Sequence, residues 1–221
     1  MKQLLYRDFL LTRRQIAGTC LIFFIVSLGH YPVLIYYFIF ALQLPHIMFA
    51  DENKNKVHYY LLSLPIGKMC LIVTRYLYIL IASVCLLLFA WGIAAITSLK
   101  PDDIFYMVYG STIYGWQDIC LAFSVVLAAF AISIPFMYGF RGAIIVHVIS
   151  GVMGLLTIGF IFVSTNLPDT EENWKFNDKV MTWFRELFPL SPVVILLIGL
   201  SMYVISIVIS VQLVRKNKSL D

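Results

Sequence analysis

Apolar residues in this chain gather in runs of about the length that a helix needs to cross a bilayer, roughly 20 residues for the hydrocarbon. Short polar clusters separate them. Three runs are clear, Tyr76–Leu99, Ala143–Thr165 and Pro192–Val214. A fourth, Ile119–Tyr138, holds Pro135, which predicts a kink or an end near one face. The stretch Ile16–Ala50 is too long for one span and tight for two, and His30-Tyr31-Pro32 is its one strong break. The pattern predicts two helices there, about 16–31 and 33–50, with a re-entrant hairpin as the alternative. The predicted fold is an all-α polytopic membrane protein, a single transmembrane domain over 1–221 with six helices at about 16–31, 33–50, 76–99, 119–138, 143–165 and 192–214. A cytoplasmic segment 51–75 and outer segments 100–118 and 166–191 connect them.

Charge placement orients these spans, because Lys and Arg favour the cytoplasmic loops. With six spans both termini share a side. That side holds Lys2, Arg7, Arg13, Arg14, Lys54, Lys56, Lys68, Arg75, Arg141, Arg215, Lys216 and Lys218, against Asp8, Asp51, Glu52 and Asp221. The other side keeps the remaining basic residues, Lys100, Lys175, Lys179 and Arg185, and most of the acidic ones. Both termini are therefore expected in the cytoplasm. The N-terminus resembles a signal peptide in its basic start, but no small-residue cleavage site follows the apolar run, so it is expected to stay uncleaved.

Composition narrows the function. At 61% hydrophobic and 13% charged residues, the 221-residue chain is far from the soluble norm and leaves little outside the bilayer for a catalytic domain. The net charge of +4 is modest and gives no nucleic-acid signature. Cys20, Cys70, Cys85 and Cys120 stand alone and read as small core residues rather than a disulfide framework or metal site. No phosphate-binding loop is present: Gly67-Lys68 has Leu62 in place of the leading glycine and Met69 in place of the hydroxyl residue. There is no HExxH. Glu171-Glu172 lies in a polar outer loop, with Phe176 where an intramembrane protease of the prenyl-processing type needs a basic residue. No Asp, Glu, Lys or Arg is expected deep within a span, which disfavours proton- or sodium-coupled carriers.

Gln43, His46 and His147 are the main polar residues inside the predicted spans, and each suits either an interhelical hydrogen bond or a substrate path. Ser150-xxx-Gly154 and Gly151-xxx-Leu155-xxx-Gly159 predict close helix packing on one side of the fifth span. The outer segments carry dense aromatics (Phe105, Tyr106, Tyr109, Tyr114 and Trp116, then Trp174, Phe176, Trp183, Phe184 and Phe188), which suit an interfacial belt or an external gate helix.

The most informative stretch is Asp51–Lys68. At 100° per residue, Val57, Tyr60, Leu61 and Leu64 fall on one face, and Asn55, His58, Tyr59 and Leu62 on the other. Pro65 ends this short helix. A two-turn helix is not stable alone, so it must be held on both sides. The apolar face suits the membrane helices, and the mixed face is left for a partner or for the interface.

Here the chain resembles a family. Leu61-Leu62-Ser63-Leu64-Pro65-Ile66-Gly67-Lys68, followed by Ile72-Val73-Thr74-Arg75-Tyr76-Leu77, is similar to small permeases of ABC type-2 exporters. Ile132-Ser133-Ile134-Pro135-Phe136-Met137-Tyr138 and the N-terminal Leu4-Leu5-Tyr6-Arg7-Asp8-Phe9 resemble the same family. The loop Gly139-Phe140-Arg141-Gly142 departs from its pattern in being shorter and less basic.

The resemblance implies a multi-pass permease subunit of a bacterial plasma membrane with no ATPase or cofactor of its own. ATP and Mg would sit on a separate ABC ATPase. The permease would work as a homodimer or beside a sister permease. Asn55, His58, Tyr59 and Leu62 would dock the ATPase, while Val57, Tyr60, Leu61 and Leu64 face the membrane domain. Similar members export amphipathic or antimicrobial peptides of the phenol-soluble-modulin type, and a lipid-like substrate is the related expectation. The alternative is a membrane enzyme or enzyme-associated scaffold, for which the sequence supplies no catalytic constellation.

Overall fold

A computed structural model of the chain describes residues 2–28, 33–55, 67–97, 116–139 and 190–216, with further positions at 148, 151–152, 154–155, 158–159, 183 and 186–187. The described residues form five long helices: α1 (Lys2–Leu28), α2 (Val33–Asn55), α3 (Lys68–Thr97), α4 (Trp116–Gly139) and α5 (Pro192–Lys216). Three of them hold stretches long and apolar enough to cross a membrane, Met69–Ile93, Trp116–Gly139 and Pro192–Lys216. In α2 the apolar stretch Tyr37–Ala50 is shorter. The predicted span 143–165 lies mostly outside the described residues.

The polar start of the chain is part of the fold. Helix α1 begins at Lys2, ahead of the apolar run from Ile16, and packs against α3. Its buried face is Leu4, Asp8, Thr12 and Thr19, spaced as one side of a helix. Asp8 is only 1% exposed and accepts from Arg7 Nε at 3.0 Å. Thr12 donates to the Asp8 carbonyl at 3.0 Å and shares a hydrogen bond with the Tyr78 hydroxyl of α3. Burying this acid without a partner would be costly, so the ion pair with Arg7 helps a charged segment tolerate the helix interface, and the Thr12–Tyr78 bond ties that segment to α3.

Helices α4 and α5 pack along their lengths. A Cβ on Gly199 would lie 3.1 Å from the Ser124 carbonyl oxygen and 3.2 Å from its Cα, so the two backbones approach as closely as glycine allows. Lower down, Gly139 of α4 lies against Leu213 of α5. These contacts pair start with start and end with end, so the two helices are parallel.

A polar knot fastens α3 to α5. The Tyr76 hydroxyl lies 2.7 Å from both Ser206 Oγ and Ser210 Oγ, and the Tyr203 hydroxyl donates to the Tyr76 carbonyl at 2.7 Å. The Tyr76 and Tyr203 rings meet edge to face at 5.1 Å. In an apolar surround each hydroxyl must find a partner within the protein, and these four residues satisfy one another.

Some expectations change. Among the described residues, Gly151, Gly154 and Gly159 meet nothing within 4 Å of an added Cβ. All four cysteines are free, and Cys85 is exposed on α3 rather than a core residue. Pro135 does not end its helix: α4 continues to Gly139.

Candidate functional site

The ends of the helices that adjoin residues 56–66 come together around one cation. Arg75 lies in the second turn of α3, inside the apolar stretch Met69–Ile93, and is 1% exposed. A charge is thus buried near one end of a candidate span, where hydropathy alone expects it to be solvated. Its guanidinium carbon sits 4.9 Å from the centre of the Phe49 ring and 5.9 Å from that of Tyr138. The two rings meet each other edge to face at 5.0 Å and 85°. Phe49 is near the end of α2 and Tyr138 near the end of α4. Cation–π attraction is strongest where water is excluded, and the broad, weakly hydrated guanidinium suits such a seat better than an ammonium would.

The same end gathers further groups. Leu213 against Gly139 places the end of α5 there, with Arg215 and Lys216 exposed. The Thr12 contact with Tyr78 sets the first half of α1 beside the first half of α3, with Arg13 and Arg14 exposed. The described part of this face is basic.

One turn before each aromatic contact lies a buried proline. Pro45 interrupts the hydrogen bonding of α2 and Pro135 that of α4, freeing the carbonyls of Ala41 and Ala131. Gln43 and His46 flank Pro45. Gln43 is exposed and His46 half-buried, so these two candidates for a substrate path lie together on α2. His147 lies outside the described residues. Asn55 is the last residue of α2, and Val57, His58, Tyr59, Tyr60, Leu61, Leu62 and Leu64 lie outside the described residues. Among the outer aromatics, Trp183 is half-buried and packs against the core.

Sequence reasoning placed Arg75 at the close of a cytoplasmic loop, because it is charged and the longest apolar run begins after it. The signal it passed over is Leu71-Ile72-Val73: three apolar residues before the arginine, with Leu71 and Ile72 buried. Pro45 was likewise visible but unused.

Nothing in the described part of the site resembles catalytic machinery. The described residues contain no group of three or more His, Cys, Asp or Glu able to hold a metal. What the described site has is a junction of helix ends held around the Arg75 guanidinium.

The family model described as ABC-2 family transporter protein matches residues 3–215. The chain belongs to the ABC-2 transporter family. No curated protein and no solved structure matches it. As an ABC-2 family member it is a multi-pass membrane permease subunit of an ABC transporter, a transport component rather than an enzyme, and its partner is an ABC ATPase. The match takes in every long helix described above, and α1 falls within it from its second residue.

Proposed function

We propose that this ABC-2 permease exports amphipathic peptides or lipid-like substrates from a bacterial cell, using ATP and Mg held by a separate ATPase. The observation that carries this reading is the family match over residues 3–215 of a chain with no nucleotide-binding motif. The working unit is a dimer, either of two copies or with a sister permease, in a six-span arrangement. Its basic end faces the cytoplasm, as the positive-inside preference favours. The coupling helix lies in the cytoplasmic segment 51–75, with Asn55, His58, Tyr59 and Leu62 toward the ATPase and Val57, Tyr60, Leu61 and Leu64 toward the membrane domain.

The substrate class follows from the walls available to it. Arg75 and Asp8 are buried, and away from the exposed Arg13, Arg14, Arg215 and Lys216 the exposed surfaces of α1, α3 and α5 are mainly apolar, while α2 exposes the polar Gln43. Such walls suit a molecule with one apolar face and disfavour a fully hydrated solute.

Two measurements test this. The purified chain alone should bind no ATP, and co-expression with its ATPase should yield a stable complex with stimulated hydrolysis; nucleotide binding by the chain alone would sink the assignment. In proteoliposomes the complex should move a fluorescent amphipathic helical peptide in preference to a labelled sugar. Preference for the sugar would refute the substrate class while leaving the permease assignment intact.

A further inference from the structure

We infer that Arg75 is a positioning residue that yokes the ends of α2 and α4, so that a displacement imposed on residues 56–66 is carried into α4. The inference rests on the reading of residues 56–66 as the ATPase-coupling segment, and adds to it the route by which movement leaves that segment.

Three observations combine. First, a cation is buried at 1% exposure where three helix ends meet, although enclosing a charge is costly unless its neighbours compensate it. Second, its neighbours come from two other helices: Phe49 from α2 and Tyr138 from α4, themselves in edge-to-face contact. Third, both of those helices contain a buried proline one turn earlier, Pro45 and Pro135. A proline removes one backbone hydrogen bond and is a standard place for a helix to bend. The stretches beyond the prolines, 46–55 and 136–139, are thus short levers with a softened base. Arg75, rooted in the unbroken helix α3, holds both levers through their aromatic rings. Residues 56–66 join the end of α2 to the start of α3, so a push on them reaches the helix ends that carry Phe49 and Arg75. Phe49, Arg75 and Tyr138 then pass it to α4, which packs along α5.

A purely structural arginine would fasten the bundle and nothing more. A yoke predicts that weakening it leaves partner binding intact and disconnects the response. The variants are R75M, which keeps the length of the stem without charge, and R75K, which keeps the charge without the plane. In the complex with its ATPase, R75M should be recovered in the same amount by pull-down, with an unchanged KM for ATP. Its permease-stimulated kcat should fall roughly tenfold, as loss of a desolvated cation–π contact allows, and R75K should recover part of it. In the full chain alone, in detergent micelles, amide hydrogen exchange should rise in R75M at 46–55 and 136–139 together, and less in R75K.

Unchanged stimulated kcat in R75M would overturn the inference, and so would a rise in exchange confined to α3. If neither variant accumulates in the membrane, Arg75 is a folding residue and the yoke is rejected. Should the wild-type chain recover no ATPase, the coupling reading fails by itself. The exchange experiment then still decides whether Arg75 ties the two helix ends.

Discussion

Replacing Gly199 by leucine is expected to abolish accumulation of folded permease. The added Cβ alone would meet the Ser124 backbone at 3.1–3.2 Å, and backbone has no rotamer by which to yield. The rest of the leucine side chain must then force α5 away from α4, breaking the longest helix pairing described and the Tyr203 contact with Phe130 at 6.5 Å. Overpacking a tight interior site costs about 1–3 kcal/mol or more, a large share of the marginal stability of a domain. G92L is the control, because a Cβ at Gly92 meets nothing within 4 Å. Fluorescence-detected size exclusion from solubilised membranes reads both: G92L should give a monodisperse peak near the wild-type height and G199L a small or aggregated one. Equal peaks would mean that the α4–α5 contact does not limit assembly.

The triple variant H58A/Y59A/L62A, or Y59D alone, should abolish ATPase recruitment while the membrane domain stays assembled. An aromatic anchor in a partner's groove is commonly worth about 2 kcal/mol, close to thirty-fold in affinity. L61A should behave in the opposite way, reducing membrane abundance, because its face is assigned to the protein's own helices. Pull-down and membrane immunoblot on the two sets give the contrast. Full ATPase binding and export by the triple variant would show that this segment is only an interfacial helix.

The hydrophobic pattern made the helical membrane class legible, because about twenty apolar residues in a row have few other uses. It was less informative where polar groups are buried. The rule that charge lies outside the bilayer placed Arg75 in a loop, and only the third dimension supplies the Phe49 and Tyr138 rings that make its burial tolerable. The same counting of charges gives no sign that Asp8 is buried beside Arg7. Single-letter hydropathy has no means of anticipating that a charge will be met by a partner from another helix.

The same limit applies to Tyr76 and Tyr203. In sequence they look like interfacial aromatics or ordinary core, and nothing local connects Tyr76 with Ser206 and Ser210, more than a hundred residues later. The family wording around residues 61–77 was legible as a string of residues. The resemblance placed an arginine–tyrosine pair at the entry to the helix, but not its work: one side chain is turned toward α2 and α4, the next toward α5.

The fastening of Tyr76 to Ser206 and Ser210 has a consequence for biogenesis. Tyr76 is synthesised well before its serine partners, so α3 enters the bilayer carrying a hydroxyl whose final partners have not yet been translated. The seat for Gly199 on α4 likewise stands open until α5 arrives. A nascent chain interrupted before residue 206 has α3 made but the Tyr76 hydroxyl still missing both serines, so the arrival of α5 and the completion of the polar knot are nearly the same event.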